Sequence, residues 1–225
     1  DRMCALEGAE AGLPMASGMA AIFTVLAGLL NSGDHVVASR SLFGATHQLL
    51  TTIMPRWGIG HSYADCELTD TWPAPFRPET RLCLVETPSN PGLTLVDLAW
   101  VAELCRERGV VLVVDNTFAT PVVQRPLALG GQGRTIGGVI VGDRLLISEL
   151  THFARRTGPT LSPFNSWLLS QSLETLTVRM ERHCANALAL AQWLEGRPGV
   201  ISVCYPFLPS HPQHDLARRQ RPARG

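Results

Sequence analysis

The sequence predicts an α/β domain in which a mostly parallel sheet is flanked by helices. Three observations carry this. Runs rich in β-branched residues recur at 34–39, 81–86 and 110–115, and single helix-patterned segments lie around and between them. The run Val110-Val111-Leu112-Val113-Val114-Asp115 is apolar up to its last residue, as a strand covered on both faces must be.

The elements follow in order. Residues 18–30 are rich in alanine and leucine, open behind Ser17 and close before Asn31-Ser32-Gly33, which predicts a buried helix with a serine cap. A strand at 34–39 leads to a helix over 44–54 that Pro55 should stop. The strand at 81–86 precedes a helix over 97–108, which Gly109 ends just before the strand at 110–115. A further strand is expected at 136–141 and one helix from about 163 to 194. Strand character at 200–205 suggests the opening of a second, smaller unit. The division expected is a large domain over 1–185 and the start of a small C-terminal domain over 186–225.

With 225 residues and 45% hydrophobic content the chain can bury a sizeable core. Acidic and basic residues balance at 19 each without a charge block, which disfavours nucleic acid or an anionic membrane as partner and favours a small molecule. Asp1-Arg2-Met3-Cys4 lacks the layout of a signal peptide and no run reaches membrane-span length, so a cytoplasmic location is expected. Six scattered cysteines form no C-x-x-C pair and read as reduced thiols. No metal is expected: Pro212 interrupts His211 and His214, and no third ligand lies nearby. Gly131-x-Gly133 lacks the strand and helix of a dinucleotide loop and reads as a turn. All 19 basic residues are arginine, so the chain contains no lysine.

Four segments can carry chemistry. Ser17-Gly18-Met19 lies where a loop becomes a helix, so its unpaired N–H groups form either a phosphate cradle or an ordinary capped start. Asp115 ends an apolar strand, where a carboxylate needs a partner: a protonated ring nitrogen, a backbone group or an arginine. Glu86-Thr87-Pro88-Ser89-Asn90-Pro91 is a stiff loop that either sets Asn90 against a ligand oxygen or serves as a turn. Phe43, beside Gly44, either lies flat on a planar cofactor or packs in the core.

Taken together the four segments resemble the Cys/Met-metabolism (transsulfuration) family of fold-type I pyridoxal-phosphate enzymes, and are most similar to its O-succinylhomoserine sulfhydrylases. The resemblance runs from Leu6-Glu7-Gly8 through Gly33-Asp34-His35, the 86–91 loop, Asp115-Asn116-Thr117-Phe118, Arg125-Pro126-Leu127 and Thr157 to Asn165, and ends at His211-Pro212-Gln213-His214. It implies the large domain of that fold followed by only the start of the smaller one. Pyridoxal 5'-phosphate is the cofactor implied. Gly18 and Met19, behind Ser17, would give backbone amides to its phosphate, and Phe43 would stack on its ring where many relatives place tyrosine. Asp115 would keep the pyridine nitrogen protonated, Asn90 would bond the 3-oxygen, and Thr117 would sit beside the ring. The activity implied is replacement of the γ-succinyl group of O-succinylhomoserine, or a related acyl-homoserine, by sulfide or a thiol, giving homocysteine for methionine biosynthesis. An amino-acid substrate and a homodimer or homotetramer come with it.

The match breaks at one place. Relatives continue after Arg-Pro-Leu to a Ser-x-Thr-Lys segment whose lysine forms the Schiff base, whereas Leu129-Gly130 here runs into Gly131-Gln132-Gly133. About a dozen residues, one strand and its turn, are expected to be absent. Arginine is no substitute, because its guanidinium stays protonated. No catalytic residue is assigned. The family's N-terminal arm and most of its C-terminal domain are also expected to be missing. The alternative is therefore a truncated, inactive remnant or a non-enzymatic interaction protein.

Overall fold

A computed structural model describes residues 1–66, 68–124 and 135–220. The Arg125-Pro126-Leu127 motif, the Gly130–Gly131 junction and the extreme tail lie outside the described residues. Helix α1 (Arg2–Glu7) and strand β1 (Ala11–Met15) lead into α2 (Gly18–Leu29), β2 (His35–Ser39) and α3 (Gly44–Gln48). Strands β3 (Gly60–Ala64) and β4 (Thr80–Glu86), helix α4 (Leu98–Glu107), strand β5 (Val111–Asp115) and the short α5 (Thr120–Val123) follow. The remainder is β6 (Gly138–Gly142), α6 (Arg144–Thr157), α7 (Pro163–Glu174), α8 (Leu176–Leu194) and α9 (His214–Gln220).

Strands β3, β2, β4 and β5 pair in that order, all parallel, while β1 and β6 form a separate antiparallel pair. The two-residue period of the strands sorts their side chains onto two cores. Val36, Ala38, Leu82 and Leu84 point to one face, against Leu26 of α2 and Leu150 of α6. Val37, Cys83 and Val85 point to the other, against Val101, Leu104 and Cys105 of α4 and the buried Trp72. The expected sheet with helices on both faces is present. An α2–α6 approach this close depends on Gly28, where an added Cβ would come within 2.9 Å of Leu150 Cδ2.

Four expectations need correction. Pro55 does not stop the helix: the chain continues from α3 through one π-helical stretch and into a 3₁₀ turn over Met54–Trp57, with proline in the first turn, where a missing N–H costs nothing. The helix expected from 163 to 194 is two helices, broken at Thr175. Residues 200–205 form no strand. Instead this segment leads to α9, whose Gln220 accepts the Leu98 N–H at 2.8 Å, while Gln213 brackets Leu95 through both its N–H (2.8 Å) and its C=O (2.7 Å). Finally, β5 is only half-buried along its length. Among the described residues it pairs with β4 alone, and Val113, Val114, Val139 and Ile140 face a cavity of about 190 Å³ that separates it from β6.

Helix α6 is capped by Asp143, whose carboxylate accepts the N–H groups of Leu145 (2.8 Å) and Leu146 (3.2 Å). Asp143→Ala is expected to lower stability by about 1 kcal/mol in urea unfolding, and Asp143→Asn by far less, because asparagine keeps the accepting oxygen.

Candidate functional site

The site lies where β4 and β5 end and α2 begins. Parallel strands leave their C-terminal ends open, and a helix entering above them offers its N–H groups. Ser17 is extended (φ −160°, ψ 169°), its Oγ accepts the Ala20 N–H at 3.0 Å and its carbonyl accepts that of Ala21. The next two donors, on Gly18 and Met19, have no acceptor within the helix. The space around Gly18 is open for 4 Å where a Cβ would stand. Gly138 on β6 closes the cradle from behind: a Cβ there would lie 2.3 Å from the Ser17 carbonyl oxygen and 3.0 Å from the Gly18 nitrogen.

Asp115 ends β5 and stands in register with Glu86, which ends β4. Thr117 orients it, giving Asp115 Oδ1 both its N–H (3.0 Å) and its hydroxyl (2.6 Å). Among the described residues the carboxylate thus meets a backbone donor and a threonine hydroxyl, with no arginine among its bonds. Glu86 is 6% exposed, and its carboxylate accepts the Phe43 N–H on one oxygen and the Asn90 N–H, at 3.1 Å, on the other. Burial pushes the Glu86 carboxyl up to about 7; the Phe43 and Asn90 N–H groups oppose that rise and nearby Asp115 adds to it.

The loop after β4 is braced from within: Thr87 Oγ1 accepts the Val96 N–H, Ser89 Oγ accepts that of Thr94, and Gln124 donates to the Thr87 carbonyl. Both its X–Pro bonds, Thr87–Pro88 and Asn90–Pro91, are cis. Phe43 is 44% exposed, which sets aside core packing as its use.

Ser17, Gly18, Met19, Phe43, Asn90, Asp115 and Thr117, all the residues singled out from the sequence, line one cavity of about 300 Å³. Ile22, Glu86 and Phe118 complete its lining. It meets the β5–β6 cavity at Gly18, Ile22, Asp115 and Thr117. The sequence places Glu86, with Asp115, at the strand ends where ligands sit, but gives no individual role to Glu86, Phe118 or Gly138. Glu86 had a signal, since it too is a carboxylate ending an apolar strand; Gly138 had none, because its neighbour Ser17 is distant in sequence. Among the described residues the lining contains no lysine, arginine or histidine. The lining brings together the helix-start N–H groups of Gly18 and Met19 and the carboxylates of Glu86 and Asp115, so it can hold a ligand with an anionic end and a cationic, planar end.

A family profile described as "Cys/Met metabolism PLP-dependent enzyme" matches residues 1–225. The chain is 48% identical to an O-succinylhomoserine sulfhydrylase of Pseudomonas aeruginosa, over 98% of the chain and 58% of that protein. It is 42% identical to a cystathionine beta-lyase of Coxiella burnetii, over 96% of the chain and 59% of that protein. A crystal structure of metB from Corynebacterium glutamicum superposes with a TM-score of 0.94 at 37% identity, covering 99% of this chain and 62% of the other. The chain spans about three-fifths of the length of the relatives it matches. The alignment to the Pseudomonas protein extends over 234 positions, more than the 225 residues of the chain, so at least nine positions of that relative have no counterpart here.

Proposed function

We propose, from the premise that this chain belongs to the Cys/Met metabolism PLP-dependent enzymes, that residues 1–225 form the cofactor-binding part of a transsulfuration enzyme. In a protein of the relatives' full length, the reaction proposed is replacement of the γ-acyl group of O-succinylhomoserine, or a related acyl-homoserine, by sulfide or a thiol, in a homodimer or homotetramer. Residues 1–185 would be the large domain and 186–225 the start of the small one. The observation that carries the reading is that all seven residues line one cavity. Pyridoxal 5'-phosphate has a phosphate at one end and a pyridinium at the other, and the cavity offers helix-start N–H groups for the first and two strand-end carboxylates for the second.

The chain's own residues would divide the work. Gly18 and Met19 would donate backbone N–H groups to the phosphate. Phe43 would cover one face of the ring, and Asn90 would hydrogen-bond its 3-oxygen. Asp115, oriented by Thr117, would hold the proton on the ring nitrogen through the carboxylate oxygen left to it. Once bound, the cofactor supplies an electron sink for carbanions next to the substrate amine.

The absence of lysine favours a second reading for the chain by itself: residues 1–225 hold the cofactor reversibly and do not turn over. Titration with pyridoxal phosphate, borohydride treatment and intact-mass measurement test both readings. The expected result is saturable binding, no covalent adduct apart from any at the terminal α-amine, and no homocysteine. A stoichiometric adduct within the chain would overturn the second reading; absence of binding in equilibrium dialysis would overturn the first.

A further inference from the structure

Glu86 is buried at the end of β4, and each of its carboxylate oxygens receives one backbone N–H. The two donors come from different loops. Phe43 stands between β2 and α3, and Asn90 lies in the proline-rich turn after β4. The Phe43 and Asn90 side chains both line the cavity, so one carboxylate ties together two of its walls. The Glu86 N–H in turn donates to Ser39 Oγ at 3.2 Å, anchoring the carboxylate's own backbone to β2.

A carboxylate beside Asp115, with no basic residue in the lining among the described residues, carries a desolvation cost that plain loop bracing would not require. What it alone offers is two acceptor oxygens and no donor. A glutamine of the same shape would turn an NH₂ toward one of the two N–H groups and break that link. We propose that Glu86 is a positioning residue whose two N–H contacts set the spacing between Phe43 and Asn90, and so the slot for a planar ring. This rests on the reading that the cavity takes pyridoxal phosphate.

The test compares the 225-residue chain with Glu86→Gln at pH 8, titrating each with pyridoxal phosphate and, separately, with inorganic phosphate, and following amide hydrogen exchange at Phe43 and Asn90. The expected result is about tenfold weaker binding of pyridoxal phosphate, corresponding to one lost charge-assisted hydrogen bond. Inorganic phosphate, which needs only the helix start, should bind within about twofold of the original, and exchange at the two amides should rise. Equal weakening for both probes, or unchanged exchange at both amides, would overturn the assignment. Should the variant not fold, the original chain decides: pyridoxal phosphate should protect the Phe43 and Asn90 amides together, and protection of only one sinks the proposal. If the original chain binds no pyridoxal phosphate, the cofactor reading fails, while exchange in Glu86→Gln still decides the link.

Discussion

Gly138→Ala is expected to weaken pyridoxal phosphate binding at least about 100-fold and to lower stability by about 3 kcal/mol, the upper part of the range for overpacking. The added methyl group would stand 2.3 Å from the Ser17 oxygen, 2.6 Å from its carbonyl carbon and 3.0 Å from the Gly18 nitrogen. All three are backbone atoms, so no side-chain rotation relieves the clash and the start of α2 has to move. Gly18 and Met19 move with it, and backbone donors displaced by an ångström no longer converge on one anion. Gly142→Ala, on the same strand, is the control, because nothing lies within 4 Å of its Cβ position. Equilibrium dialysis and thermal unfolding of the two variants should separate cleanly. Equal behaviour would mean that the β6 contact does not shape the helix start.

Stability should fall as pH rises from about 4.5 to about 7, by up to about 3 kcal/mol attributable to Glu86. The sign follows from proton binding. In this window the folded chain keeps the Glu86 proton and the unfolded chain has released it, so each increment of pH favours unfolding. Below 4.5 both states hold the proton and above 7 neither does, so the contribution is whole at the acid end and gone at the alkaline end. Urea unfolding at pH 5 and pH 8 measures it as a difference between the original chain and Glu86→Gln, in which other titrations, including those of the buried His35 and the half-buried His61, cancel. A difference that does not change with pH would show that Glu86 ionises as an ordinary exposed glutamate does. Ligand binding should reduce the fall, because a pyridinium beside Asp115 brings a positive charge that the described residues of the lining do not supply.

The parts of the fold legible in the sequence were those whose environment is uniform along the element. Strands β2 and β4 are buried almost throughout and so read as continuous apolar runs. Helix α2 announces itself by its serine cap. Strand β1 was missed because Gly12 and Pro14 weaken its local preference, and its partner β6 lies more than a hundred residues away. Strand β3 (GHSYA) sits at the edge of the sheet, where solvent tolerates polar residues and the pattern disappears. Helix α6 did carry a signal: Ile147, Leu150 and Ala154 recur at helical spacing and point into the core, behind the Asp143 cap. Residues 200–205 look like a strand in composition but find no neighbour to pair with among the described residues, so propensity alone does not form one.

The candidate site divides in the same way. Glycines, prolines and a strand-end carboxylate mark positions where local chemistry is unusual, and these were visible in Ser17-Gly18-Met19, the 86–91 loop and Asp115. The role of Glu86 was not, because it depends on two backbone groups that only the assembled sheet brings to one carboxylate. Phe118 was quoted only as part of a motif, and its place in the cavity wall follows from the turn after β5.

Among the described residues β5 is the outer strand beside β4, and that position sets the order in which the two carboxylates are expected to loosen. Strand β4 is gripped from two sides by β2 and β5, whereas β5 has the grip of β4 alone among the described residues. Thermal fluctuations are therefore expected to release Asp115 before Glu86, which hydrogen exchange along β4 and β5 would measure, and the half of the acidic pair proposed for the ring nitrogen is the half that rests on the looser rail.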